Sequence, residues 1–472
     1  MNQQASIREP RFLSALREFV WSRGYMALCF FVAAFGVVTG WEIPCAVVLG
    51  YIASAVLILS PHWMPAFLPI LMISATVTRF YDCFDALIGY WWVLIVPACA
   101  IVFHIVRYRR PLSVGRSFWG LCAVAVAVTL GGLGSLSLQE YFRPIALFYV
   151  IGLGAGMVVF YLLLRSEWSS AAEEQTGRDR HFFACTMYLW GLICAFMVFF
   201  NIAMQWDTVM EKNLLPEIQW SNNVSTMMMF ALPFPFYFAR DRIGHLAAAY
   251  GMYFAILCTG SRGGWVFGTA EFLVCVVYGV VVQKGRTRKI ASVAVLAAFV
   301  MVIAVFHKPV FSALGIDRYF RDGGKDLISD DEARARLLVR SWEDFRSAPI
   351  FGRGLAYSGN ADIYAPKKGA MHFYHMMIPQ IIGSMGWAGI AAYGYQFVGR
   401  LRIAFRRVNA YRFCLFLSYL GIFLMSQVNP GEFCPVPYQM VTVTLFVLLE
   451  CDTVSPRLRN KTGECFVHSP VL

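Results

Sequence analysis

The sequence predicts an all-α polytopic membrane protein, on three observations. Of its residues, 58% are hydrophobic and only 14% charged, against about 25% charged in an ordinary soluble domain. The mean hydropathy is +0.58. Apolar runs recur along most of the chain, and its basic residues are sorted between alternate loops. A length of 472 residues suggests several soluble domains, but this composition reads as one bundle. No nucleic-acid partner is expected.

Roughly 20 apolar residues are needed per helix to cross a hydrocarbon core about 30 Å thick. Fourteen segments qualify loosely: 26–41, 43–60, 64–79, 87–106, 117–134, 144–164, 182–205, 224–239, 243–259, 263–283, 290–306, 376–398, 413–429 and 434–450. Several are short, so the expectation is 12–14 spans. The chain divides into central and N-terminal spans (1–306), a polar loop domain (307–374), C-terminal spans (375–450) and a tail (451–472).

With fourteen spans and a cytoplasmic N-terminus, the cytoplasmic loops and both termini collect 25 Lys and Arg residues. Outside the 307–374 loop, the other face has only Arg79, Arg143, Lys212 and Arg262. Long loops translocate largely regardless of charge, so 307–374 is expected outside, with both termini cytoplasmic. The polar, basic start runs straight into an apolar segment, and no removable signal peptide is expected. The 13 cysteines lie mostly in apolar runs, without a CxxC pair. They read as small packing residues rather than disulfide or metal ligands, and no metal site is expected.

The loop is a charged island carrying eleven of the 40 basic residues. Within it, SDDEARARLLVRSWEDFR (329–346) reads as a helix. Ser329 and Glu332 suit a capping box, and Pro349 and Gly352 end the helix. Leu338, Trp342 and Phe345 make one apolar stripe, which Arg334 shares. Arg336 and Arg340 face the other way, with Glu332 and Asp344 as i,i+4 partners. Arg334 therefore either meets an anion, or snorkels or pairs with Asp330 or Asp331. The turn PIFGRGL (349–355) and the pair Lys367–Lys368 follow. The next span opens HFYHMMIPQIIGSMGWAGI (372–390), with Gly383, Gly386 and Gly389 at a spacing that allows close helix approach. His375 at its outer end is either an interfacial packing residue or a general base. GSRGGW (260–265), on the same face, is either a phosphate-binding turn or a tight interfacial one. Asn222 and Asn223 either meet polar ligand groups or cap a helix.

These pieces resemble the O-antigen ligase/polymerase family, which includes O-antigen ligases and Wzy-type polymerases. Ser261-Arg262-Gly263 is like that family's Ser-Arg-Gly at a span end. Arg334, then Pro349 and the Gly352-x-Gly354 turn, match a second motif. His375, with Gly386 and Gly389, is similar to its His-Asn…Leu-Gly-x-x-Gly helix, although Met376 replaces the Asn. The resemblance covers about 220–400, and the span count exceeds the twelve common among the ligases.

The resemblance implies a GT-C-type bundle in the cytoplasmic (inner) membrane. It implies a metal-independent, inverting glycosyltransferase needing no cofactor, with its site facing the periplasm or outside. The partners implied are an undecaprenyl-pyrophosphate-linked glycan donor, a glycolipid or glycan acceptor, and the membrane lipids. His375 would deprotonate the acceptor hydroxyl, and Arg334 and Arg262 would hold the pyrophosphate, with Arg143 and Arg79 as further candidates. On this reading the island is lid and half the site. Three alternatives stand: a Wzy-type polymerase; a transferase whose base is Glu42, Asp82 or Asp85; and a flippase, against which membrane-embedded acids suited to ion coupling are scarce, Glu271 being the main one.

Overall fold

The computed structural model describes residues 11–77, 91–138, 144–169, 173–212, 215–216, 221–308, 312, 314, 325–355, 374–429, 431 and 436–451. They form helices, with no strand among them. In chain order these are α1 (Arg11–Phe19), α2 (Arg23–Thr39), α3 (Glu42–Leu59), α4 (Met64–Val77), α5 (Ile95–Arg107), α6 (Ser117–Leu130), α7 (Pro144–Ile151), α8 (Met157–Ser169), α9 (Glu173–Met204) and α10 (Trp206–Lys212). Then follow α11 (Ser221–Ala231), α12 (Pro233–Ala239), α13 (His245–Cys258), α14 (Arg262–Val282), α15 (Arg286–Val305), α16 (Lys325–Ser347), α17 (Met377–Ala404), α18 (Ala410–Met425) and α19 (Val436–Cys451).

Each of the fourteen apolar segments carries helix. Among the described residues, six helices are long and apolar enough to cross a membrane: Glu42–Leu59, Ser117–Ser135, Tyr149–Ser169, Gln175–Met204, Arg262–Val282 and Arg286–Val305. A seventh arises if α1 and α2, bent by 64° to each other, make one span. Met64–Val77, Trp92–Arg107, His245–Cys258, Ala410–Met425 and Tyr438–Cys451 are apolar but shorter. The expected segment 224–239 is split into α11 and α12 at Pro233, which follows Leu232 at the break. The chain is therefore an all-α polytopic membrane protein.

The packing core is aromatic and sulfur-rich. Trp190, Phe230, Phe234, Phe236 and Tyr438 are fully buried among α9, α11, α12 and α19. Most of the described cysteines are buried free thiols. Outward-facing helices show the reverse pattern: α15 exposes Ile290, Val293, Val300, Met301, Val302 and Val305, as a surface turned to lipid does.

Candidate active site

α16 begins at Lys325, so Ser329 lies inside the helix and not at its N-cap. The buried face also differs from the expected stripe. Leu337, Ser341, Asp344, Phe345 and Ala348 are buried, whereas Leu338 and Trp342 are 52% and 47% exposed. Apolarity misled the phase because Asp344 and Ser341 occupy the buried face with their polar groups bonded. The Asp344 Oδ2 accepts from Tyr374 Oη at 2.5 Å, and Oδ1 lies 3.7 Å from Arg353 Nε. Arg340 pairs with Glu343 at 3.5 Å, and its charge also acts on Asp344. Burial lifts the Asp344 carboxyl, while Tyr374 and Arg353 oppose the lift. Arg334 is half-buried, as is Arg340, which was expected on the opposite face, and Arg336 is exposed.

α17 is not one continuous helix. Gly386 sits at φ +57, ψ −146 and breaks it. A break frees backbone groups that cannot be left bare in a membrane, and the turn after α16 satisfies them. Arg353 N donates to Gly383 O at 2.8 Å and Gly354 N to Ser384 O at 2.9 Å. In return, Trp387 N donates to Pro349 O at 2.8 Å and Ala388 N to Ile350 O at 3.0 Å. The end of α6 joins in, with Gly132 N donating to Phe351 O at 2.7 Å. Only glycine fits the centre of this seam. A Cβ on Gly386 would stand 2.3 Å from Pro349 O, and one on Gly352, at φ +66, 2.3 Å from Met385 N.

His375 stands just before α17 with φ +53, an uncommon conformation for a non-glycine residue. Its neighbours pin it. Tyr374 N donates to Gln380 Oε1 at 3.1 Å, and Met377 N to Ser426 O at 2.8 Å. Met376 is the N-cap and makes no side-chain capping bond. An Asn there would cap the helix; here the carbonyl of Ser426 takes one of the end donors instead. Burial, and then the nearby Arg334 charge, push the His375 imidazole down to about 4. Arg334 and His375, chosen on separate grounds in the sequence, are therefore close enough to interact.

Ser261 caps α14, accepting from Gly264 N at 3.0 Å. Its hydroxyl donates to Asn222 Oδ1 at 2.6 Å, so Asn222 braces this turn. Asn223 is buried, and its carbonyl accepts from Tyr438 Oη at 2.9 Å. A Cβ on Gly263 would meet Val428 at 2.8 Å and Met425 at 3.0 Å. The segment 425–428 thus touches both the residue next to Arg262 and, through Ser426, the backbone next to His375. Asn429, one residue on, was missed by the sequence reading. It is 7% exposed, and its amide nitrogen has no hydrogen-bond partner. Its only sequence signal is a polar residue just beyond an apolar span.

Arg79, Arg143, Asp82 and Asp85 lie outside the described residues. Glu42 is buried at the α2–α3 junction, beside Gly36. Glu271 is buried in α14 against Gly421 of α18, with neither carboxylate oxygen hydrogen-bonded. No group of three or more His, Cys, Asp or Glu fit to hold a metal occurs among the described residues. A wholly apolar cavity of about 410 Å³ lies among α3, α4, α5 and α8, and no residue of the motifs above lines it.

No curated protein and no solved structure matches the chain. Residues 247–394, which hold Arg262, Arg334, His375 and the α16–α17 seam, match the family model described as O-Antigen ligase, the family that the motifs resemble.

Proposed function

We propose that the protein transfers a glycan from undecaprenyl pyrophosphate to an acceptor hydroxyl at the outer face of the cytoplasmic membrane. The observation that carries this reading is a half-buried imidazole, held at a positive φ, that feels the charge of the half-buried Arg334 guanidinium close to the Arg262 turn. In the proposed step, His375 accepts the acceptor's hydroxyl proton. The oxygen attacks the anomeric carbon from the face opposite the leaving group, forming one C–O bond as the bond to pyrophosphate breaks. Configuration inverts. The leaving group is already anionic, so it needs cations and not an acid, and Arg334 and Arg262 supply them. Asn429 adds a neutral donor beside the Arg262 turn.

The test uses purified protein in liposomes with a lipid-linked glycan donor and an acceptor lipid, reading release of undecaprenyl pyrophosphate. His375→Ala and Arg334→Ala each lower the rate by about 10²-fold or more, with unchanged folding by circular dichroism. Arg336→Ala stays within a factor of about two, as surface substitutions do. Equal losses at Arg334 and Arg336 would sink the assignment. Donor moved across the bilayer without release of undecaprenyl pyrophosphate would indicate transport. In cells lacking the gene, full-length chains left on the carrier indicate a ligase, and single repeat units a polymerase.

A further inference from the structure

A second polar cavity, about 340 Å³ in volume, lies between α6, α8, α17 and α19. Its size falls among small-molecule sites, which run from about 300 to 1,000 Å³. Its wall includes Arg116, Arg400, Arg402, Ser117, Tyr161 and Gln396, and no Asp or Glu lines it among the described residues.

The three arginines differ in setting. Arg400 is only 5% exposed. Its guanidinium lies over the Tyr419 and Phe446 rings, 5.3 and 5.4 Å from their centroids. Arg116 and Arg402 are exposed at the rim. One carboxylate stands behind the wall and is already engaged. Glu450 accepts from Ser117 N at 2.5 Å and Tyr161 Oη at 2.8 Å, and Arg165 Nε is 3.8 Å away. Three like charges thus share a cavity in whose described lining no carboxylate appears, and Arg400 also donates to Tyr419 Oη at 3.3 Å. Setting the orientation of a membrane protein explains basic residues in a loop, and exposed Arg406 and Arg407 meet that need. It does not explain a buried arginine with two more around one hollow, which is the arrangement that binds a phosphate.

The position and lip of the cavity indicate what carries that phosphate. α6 starts here at Ser117 and belongs to a membrane-length helix ending at Ser135. Its far end, Gly131 and Gly132, abuts Ser384 and Phe351 at the α16–α17 seam. The cavity is therefore at the opposite membrane face from His375. Tyr395 and Val398 also line it and are 56% and 45% exposed, giving it an apolar lip toward the lipid. We propose that this cavity binds the phosphate headgroup of an anionic phospholipid of the membrane. Basic pockets between spans on the cytoplasmic side serve that purpose generally. The proposal is independent of the glycan-transfer reading.

The test uses the purified full chain in detergent with dioleoyl-phosphatidylglycerol, dioleoyl-phosphatidylcholine or inorganic phosphate, followed by native mass spectrometry and thermal melting. The wild type should retain phosphatidylglycerol over phosphatidylcholine. The double variant Arg116→Gln/Arg402→Gln, which leaves buried Arg400 in place, should lose about tenfold or more in that retention. The control Arg286→Gln/Lys289→Gln, exposed at the start of α15, should keep it. Equal retention by the cavity variant, or equal loss by the control, overturns the site. Stabilisation by inorganic phosphate as large as that by phosphatidylglycerol overturns the lipid as its source.

Discussion

At the scale of single residues, the proposed chemistry turns on His375. An imidazole pushed down to about 4 is unprotonated throughout the neutral range. It is thus ready to accept a proton, although a weak base. Lowering pH protonates it only near that value, so the acid limb of kcat/KM, which reports the free enzyme, should fall near pH 4 and not near 6.5. A pyrophosphate at Arg334 offsets the charge that helps depress His375. The acid limb of kcat should therefore lie at higher pH than that of kcat/KM. Coincident limbs across a pH series would remove Arg334 from the leaving-group site. Asn429→Ala removes a buried amide with an unused donor. It should raise KM for the donor lipid several-fold, an effect of about 1 kcal/mol, while leaving the melting temperature near wild type. A large drop in melting temperature with unchanged KM would mark Asn429 as structural only.

At the scale of elements, the seam between α16 and α17 decides the architecture of the site. Gly386→Ala and Gly352→Ala each place a Cβ against backbone at 2.3 Å, in conformations that other residues rarely adopt. Each should cost about 3 kcal/mol or more and lower folded yield and melting temperature in detergent. Gly244→Ala, with open space around its Cβ, is the matched control. This scale also shows what was legible in the sequence. The glycines at 383, 386 and 389 signalled close approach, which Gly386 makes to the 349–350 backbone and Gly383 to the Tyr374 ring, while Gly389 faces Ile381 and Met385 of its own helix. Their period did not reveal that the partner is the Gly352–Gly354 turn, because backbone hydrogen bonding leaves no side-chain pattern. Arg334 is half-buried and Arg336 exposed, but the stripe used to separate them was wrong, and Arg340, expected to face away with Arg336, is half-buried too. Leu338 and Trp342 point outward, and the buried row contains Asp344, whose burial depends on Tyr374, thirty residues away. Asn429 was not legible, since nothing in its own segment distinguishes an orphaned amide from a solvated one.

At the scale of the whole molecule, segment positions were read well and span lengths less so. Hydropathy located the apolar helices. It did not show that five stop short of membrane length or that Pro233 divides α11 from α12. Composition cannot report where a helix bends or ends inside a bundle. Orientation remains a prediction of charge: reporter fusions ending after Lys289 should be active only as a cytoplasmic reporter, and those ending after Arg336 only as an outer-face one. The reverse pattern would place His375 inside and end the glycan-transfer proposal, since its acceptor lies outside.

The four hydrogen bonds that close the α17 break have a mechanical consequence. Swinging α16 and its following turn away from the bundle would strip four amides and four carbonyls of their partners, at about 1–3 kcal/mol for each group left buried and unsatisfied. The polar island therefore behaves, along this stretch, as a door frame and not a door. On the proposed reading, the wall that carries Arg334 stays put, and a large substrate has to come to it.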